Sequence, residues 1–223
     1  MKLKIGVVLS GCGFLDGSEI HEAVLTMLHL DRHDVEIVCM APAGAQAEVV
    51  DHAKKAAVAD ASRSMLAEAA RIARGKIRPL AEVAATDLHA VVFPGGFGAA
   101  KNLCDFASKG PAATANPEVA ALLRAMRTAG KPIGAVCIAP ALVAVVLGGE
   151  RPRLTVGEDS QVAAALQTLG AEHVPCKITD CVVDERLRIV STPAYMYEAR
   201  LSEVYEGIGK LVDAVVRMAG GGR

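Results

Sequence analysis

A cysteine placed where a buried strand turns into a helix is the residue of this chain best suited to covalent chemistry. The run "PIGAVCIAPAL" covers residues 132–142. A Val/Ile strand pattern ends at Cys137 and an Ala-rich helical pattern begins at once. A thiol on such an elbow points out at the carboxyl edge of a sheet, where the amides and dipole of the following helix lower its pKa. The N–H of Ile138 then stands where it can stabilise an oxyanion. Gly134, Ala135 and Ala139 supply the small neighbours that so tight a turn needs. The competing reading is an inert thiol packed behind a helix, because free cysteines are commonly small core residues. The local pattern alone leaves both open.

A second strand pattern, "VVFPGGFGAAKNL" (91–103), ends in Gly95 and Gly96. Paired glycines let backbone approach a ligand closely and turn an N–H toward it. The amides of Gly96 and Ile138 would together make a two-donor oxyanion hole. Taken alone, Pro-Gly-Gly reads equally well as an ordinary β-turn.

A third stretch, "LSGCGFLDGSEIHEAV" (9–24), invites a cofactor or metal reading. Its glycines at 11, 13 and 17 are spaced one residue too long for the dinucleotide fingerprint. Leu25 stands where a zincin motif starting at His21 would need histidine, and His29, His33 and His52 lack ligand spacing. Neither a cofactor nor a metal is expected. The loop instead reads as one half of an active site completed elsewhere.

Four further residues are candidates for the pocket. Cys12 could line it or resolve an oxidised Cys137, against a turn thiol that merely packs. His21 could border it. Asn102, with Lys101, could hold an anionic group, and Tyr195 in "PAYMY" could cap it, against ordinary capping and packing roles.

The elements that position these residues follow from hydrophobic patterning. Non-alternating Val/Ile runs at 4–9, 35–40, 89–94, 132–137 and 188–193 predict strands buried on both faces of a parallel sheet. The runs 152–157 and 181–184 predict edge strands or a hairpin. Helical patterns fill 18–30, 61–73, 117–129, 139–147, 160–169 and 197–218, with Asn116 as N-cap and Pro117 at the first helical position of the third. This alternation predicts a doubly wound α/β sandwich with ligands at the carboxyl ends of the strands. One domain over 1–219 is expected, with 220–223 a frayed tail.

Composition excludes several classes. The net charge of −1, three Tyr, four Phe and no Trp speak against a nucleic-acid partner. No apolar run is long enough to span a membrane, and residues 1–9 lack a secretory pattern. Six cysteines without a CxxC suit reduced thiols, so a cytoplasmic location is expected.

The motifs "LSGCGFLDGSEIHEAVLTML", "PGGFGAAKNL", "GKPIGAVCIAPAL", "LGAEHVPC" and "TPAYM" together resemble the ElbB group of isoprenoid-biosynthesis-associated, glyoxalase-like proteins. That group lies in the PfpI-like superfamily, related to class I glutamine amidotransferases. The resemblance covers nearly the whole chain. It implies a flavodoxin-like three-layer sandwich, with a mostly parallel central sheet and helices on both faces, usually assembled as a homodimer. It also implies Cys137 as nucleophile, Glu22 as its acidic partner and the Gly95–Gly96 and Ile138 backbone as oxyanion and substrate contacts. A thiolate beside a carboxylate is tolerable only if they share a proton, so Glu22 is expected protonated with a raised pKa.

One departure matters. Superfamily glyoxalases of the deglycase type carry a histidine at the position of Gly157, and hydrolase-type members carry one at the position of Ile138. The expected activity is therefore a slow, lyase-type, glutathione-independent glyoxalase acting on small carbonyl substrates through a Cys137 hemithioacetal. The alternative is a redox or electrophile sensor, or a chaperone-like protein, whose Cys137 is oxidisable. Glutamine amidotransferase activity is a weaker third, because no downstream His–acid pair is visible.

Overall fold

The Val- and Ile-rich runs become strands whose side chains are covered on both sides. In the computed structural model, which describes residues 2–220, these are β1 (Lys4–Val8), β2 (Glu36–Ala41), β3 (Arg78–Pro79), β4 (Ala90–Phe93), β5 (Ile133–Val136), β6 (Val182–Asp184) and β7 (Ile189–Thr192). All residues of β4, β5 and β7 are buried. The strands form one sheet in the order β6-β7-β5-β4-β1-β2-β3. Every pairing is parallel except that of β6 with β7. Without its two edge strands the sheet has the strand order of flavodoxin-like folds, with a switch point between β1 and β4.

The helices are α1 (Ile20–Arg32), α2 (Met65–Ile72), α3 (Phe97–Lys101), α4 (Phe106–Lys109), α5 (Pro117–Thr128), α6 (Ala139–Leu147), α7 (Ser160–Thr168) and α8 (Leu201–Ala219). Alternation along the strands divides the core in two. Ile5, Val7, Val92 and Val190 pack toward Ala23 of α1, Ala69 of α2 and Ile208, Leu211 and Val215 of α8. Val91, Phe93, Ile133 and Ile189 pack toward Val119 and Leu123 of α5 and Leu142 of α6. The result is a three-layer sandwich. Among the described residues, no helix is long and apolar enough to cross a membrane.

Local chemistry sets the helix starts and corrects several boundaries. Asn116 caps α5 as expected, its side chain accepting from the Glu118 amide at 2.9 Å. α1 begins at Ile20 rather than Ser18 because Glu19 is its N-cap, accepting from the Glu22 amide at 2.6 Å. Ser18 is instead buried, and its hydroxyl accepts from the Ser10 amide at 2.8 Å. A short 3-10 turn, Ala194–Met196, delays α8 to Leu201. Of the weaker strand pair, 181–184 supplies β6, but 152–157 supplies only Arg153–Leu154, which pairs in parallel with Glu172–His173. Patterning missed β3, the Val50–Asp51/Ala56–Ala57 ribbon, α3 and α4, all too short to display a period. Of the tail expected to fray, Gly220 caps α8, and 221–223 lie outside the described residues.

Candidate active site

Three loops leave the carboxyl edge of the sheet at β1, β4 and β5 and meet over Cys137. The elbow is real: Cys137 has φ +61°, a left-handed conformation that costs a non-glycine residue on the order of 1 kcal/mol. Sheet pairing holds it there, because the Cys137 amide donates to the Thr192 carbonyl at 2.9 Å, one residue past β5. Pro140 within the first turn of α6 then commits the chain to a helix.

Glu22, in the first turn of α1, is completely buried beside the sulfur. The Gly95 amide donates to its Oε2 at 3.0 Å and the Tyr195 amide to its Oε1 at 3.2 Å. Burial, reinforced by the nearby Glu19 carboxyl, pushes the Glu22 pKa up to about 8, although these amides and the Cys137 thiol partly oppose the shift. Glu22 therefore carries its proton at neutral pH, as expected from the sharing argument.

Burial likewise raises the Cys137 thiol well above its ordinary range, and the Glu22 carboxyl adds to this. The amides of Gly96 and Ile138 pull the other way. The expectation that the helix N-terminus leaves Cys137 with a lowered pKa is thus corrected: two amides do not outweigh full desolvation beside a carboxyl group. The residues expected to supply oxyanion donors, Gly96 and Ile138, line the same cavity as Cys137.

Above the sulfur lies a cavity of about 400 Å³ lined by Phe14, Glu19, Gly96, Phe97, Cys137, Ile138, Asp159, Val162, Tyr195 and Met196. Tyr195 thus lines the pocket. His21 sits at the rim, its Nδ1 3.0 Å from the Tyr195 hydroxyl. Gly95 packs against both Glu22 and Cys137, and neither Gly95 nor the fully buried Glu22 lines the cavity itself. Two residues lie elsewhere. Cys12 is half-buried and does not line the cavity. Asn102 is buried with its hydrogen bonds used internally, donating to the Ser10 and Asp16 carbonyls at 2.8 Å and accepting from the Ala47 amide at 2.8 Å. It pins the first loop in place. Lys101 is also engaged, pairing with Glu48 and donating to the Leu15 carbonyl at 3.1 Å.

Sequence reasoning missed Glu19, Phe14, Phe97, Asp159, Val162 and Met196 as pocket walls. Only Glu19 left a trace, as an acidic residue at the start of the helical pattern 18–30. The six cysteines are free, and no cluster of three or more metal-ligating side chains occurs among the described residues.

The Gly157 position also has a physical explanation. Gly157 adopts φ +70°, and a Cβ there would lie 2.6 Å from the Tyr197 ring. Tyr197 is anchored by its hydroxyl, which donates to the Cys176 carbonyl at 2.9 Å. The space an imidazole would need is filled by this ring.

No family model matches the chain. It is 43% identical, over 226 aligned positions, to the human "Glutamine amidotransferase-like class 1 domain-containing protein 3, mitochondrial", covering 97% of this chain and 84% of that one. The ES1 protein, mitochondrial, of Danio rerio is 34% identical, with 96% and 85% covered. Among solved structures, an isoprenoid biosynthesis protein with an amidotransferase-like domain from Ehrlichia chaffeensis superposes with a TM-score of 0.91 at 41% identity, covering 97% of this chain and 99% of that one. Drosophila melanogaster DJ-1beta superposes at 0.57 with 20% identity, covering 99% and 97%, a likeness of fold alone.

Proposed function

The chain belongs to the glutamine amidotransferase-like class 1 family of the ES1 proteins, on a DJ-1/PfpI-type fold, and from that premise we propose that it is a glutathione-independent glyoxalase. It converts glyoxal-type 2-oxoaldehydes to hydroxy acids through Cys137. The observation that carries this reading is the burial of Cys137 and the Glu22 carboxyl side by side against Gly95, beneath a cavity that Cys137 lines.

The reactive state is the one in which Cys137 and Glu22 together hold a single proton. The thiolate adds to the aldehyde carbon, and the new oxyanion, held by the Gly96 and Ile138 amides, takes the proton from Glu22. The Glu22 carboxylate then removes the hydrogen from the sulfur-bearing carbon. It returns that proton to the adjacent carbon through an enediol, in which a hydroxyl proton also passes from one oxygen to the other. The product is a hydroxyacyl thioester, which water hydrolyses to the hydroxy acid and the free thiol. The net reaction is addition of water to the oxoaldehyde. With no imidazole lining the cavity and the pair mostly doubly protonated at neutral pH, turnover is slow.

The test is glycolate formation from glyoxal by wild type and Glu22→Gln. The mechanism requires Glu22→Gln to lose at least about 100-fold in kcat, and an unchanged rate would end it. A second reading, an oxidation sensor, draws support from the lack of an imidazole base. Peptide mass analysis of Cys137 after mild peroxide, with a loss of all turnover in the reduced protein, would favour it.

Residues 1–219 are read as one domain. A homodimer is supported by the spacing of exposed Ile20, Val24 and Leu28, 43–45% exposed at successive turns of α1. Six free thiols suit a reducing compartment, the cytoplasm among them; the human, rat and zebrafish relatives are named as mitochondrial.

A further inference from the structure

We propose that the preferred substrate carries an apolar, uncharged substituent on its oxoaldehyde group, an aryl or branched alkyl chain seated on Phe97, and that anionic oxoaldehydes are rejected. This rests on the glyoxalase reading and names the substrate class within it. Three observations lead there.

The first is size. A water molecule's share of liquid volume is about 30 Å³, so glyoxal, the smallest member of the class, fills only a small part of a cavity of about 400 Å³. Cavities of this size ordinarily enclose larger organic ligands.

The second is the wall. Phe14 and Phe97 stay 42% and 45% exposed at the mouth, and Val162 and Met196 complete an apolar surface. Large apolar side chains left together in a concave site mark a binding surface for apolar groups.

The third is charge. The charged residues that line the cavity are Glu19 and Asp159, both acidic. Asp159 caps α7, its Oδ1 accepting from the Gln161 and Val162 amides at 3.0 and 2.9 Å. Lys101 lies 5.1 Å from the centre of the Phe97 ring but is paired with Glu48. A carboxylate or phosphate on the substrate would meet like charge without a free basic partner, whereas an aryl group meets none.

The experiment compares kcat/KM for glyoxal, phenylglyoxal and 4-carboxyphenylglyoxal in wild type, Phe97→Ala and Asp159→Asn. In parallel, the alkylation rate of Cys137 is followed by peptide mass analysis with N-benzyl-iodoacetamide, iodoacetamide and iodoacetate, each normalised to a free thiol in solution. Phenylglyoxal is expected to exceed glyoxal by about tenfold or more, and 4-carboxyphenylglyoxal to fall below phenylglyoxal by a similar factor. Phe97→Ala should shrink the first ratio, and Asp159→Asn, which keeps the helix cap, should shrink the second. Cys137 labelling should follow the same order, benzyl amide fastest and carboxylate slowest. Equal rates across the aldehydes together with equal normalised labelling would overturn the proposal. No turnover of any aldehyde, with the labelling order retained, would overturn the glyoxalase reading while supporting the pocket preference.

Discussion

Glu22 and Cys137 meet directly over Gly95, where a methyl group would lie 2.5 Å from Glu22 Oε2 and 2.4 Å from Cys137 Cβ. Only glycine leaves room for the carboxyl and the cysteine side chain to approach each other here. Gly95→Ala must therefore push them apart. Overpacking of this kind costs about 1–3 kcal/mol, a melting temperature lower by roughly 2–10 °C in a chain of this size. Thermal denaturation should show that drop, and glyoxal turnover should fall by about 100-fold because the misplaced pair no longer meets the substrate correctly.

Glu22 has its pKa raised to about 8, chiefly by burial. If the singly protonated pair is the reactive form, kcat/KM must rise with pH and level off above about 8. A profile measured from pH 6 to 9.5 should show this rising limb, and in Glu22→Gln the limb set by Glu22 should be replaced by one set by the Cys137 thiol alone. A wild-type profile flat across that window would contradict the assignment.

The same shift has a stability consequence of definite sign. An acid whose folded pKa lies above its unfolded value favours the native state most below the unfolded pKa. That advantage is lost as pH rises toward about 8. The amide introduced by Glu22→Gln is neutral throughout. This variant should therefore gain on wild type in melting temperature between pH 5 and pH 8.5, whatever fixed penalty the amide carries. A difference that stays constant with pH would show that Glu22 does not titrate in this way.

Gly157→His, which places an imidazole where deglycase-type relatives carry one, should not rescue activity. The backbone there has φ +70°, and a side chain would meet the Tyr197 ring at 2.6 Å. A destabilisation of about 1–3 kcal/mol by denaturant unfolding is expected, with no gain in glyoxal turnover. A faster enzyme of unchanged stability would refute this steric account.

The sheet was readable because its strands are continuous Val/Ile runs, and Cys137 was readable because a strand stops at it and a helix starts. Glu22 was reached through family resemblance; the spacing of residues 9–24 says only that a helix begins there. What stayed hidden depends on contacts distant in sequence. Asn102 looked like a ligand group, yet its amide binds the Ser10 and Asp16 carbonyls. Cys12 sits in the same loop as Phe14, yet only Phe14 lines the cavity. The direction of the Cys137 pKa also required the fold, since a helix N-terminus lowers it and burial beside Glu22 raises it further. Phe97 and Asp159 come from short or loop-borne segments whose convergence over one sulfur no local pattern records.

In the proposed reaction Cys137 forms a covalent bond with the oxoaldehyde during turnover. This step is tested most directly by measuring glycolate produced from glyoxal by purified wild type and Cys137→Ala, with both proteins shown to be folded by circular dichroism. Wild type should form glycolate slowly but catalytically, and Cys137→Ala only at the background rate. Glycolate formation by Cys137→Ala at the wild-type rate would contradict this step.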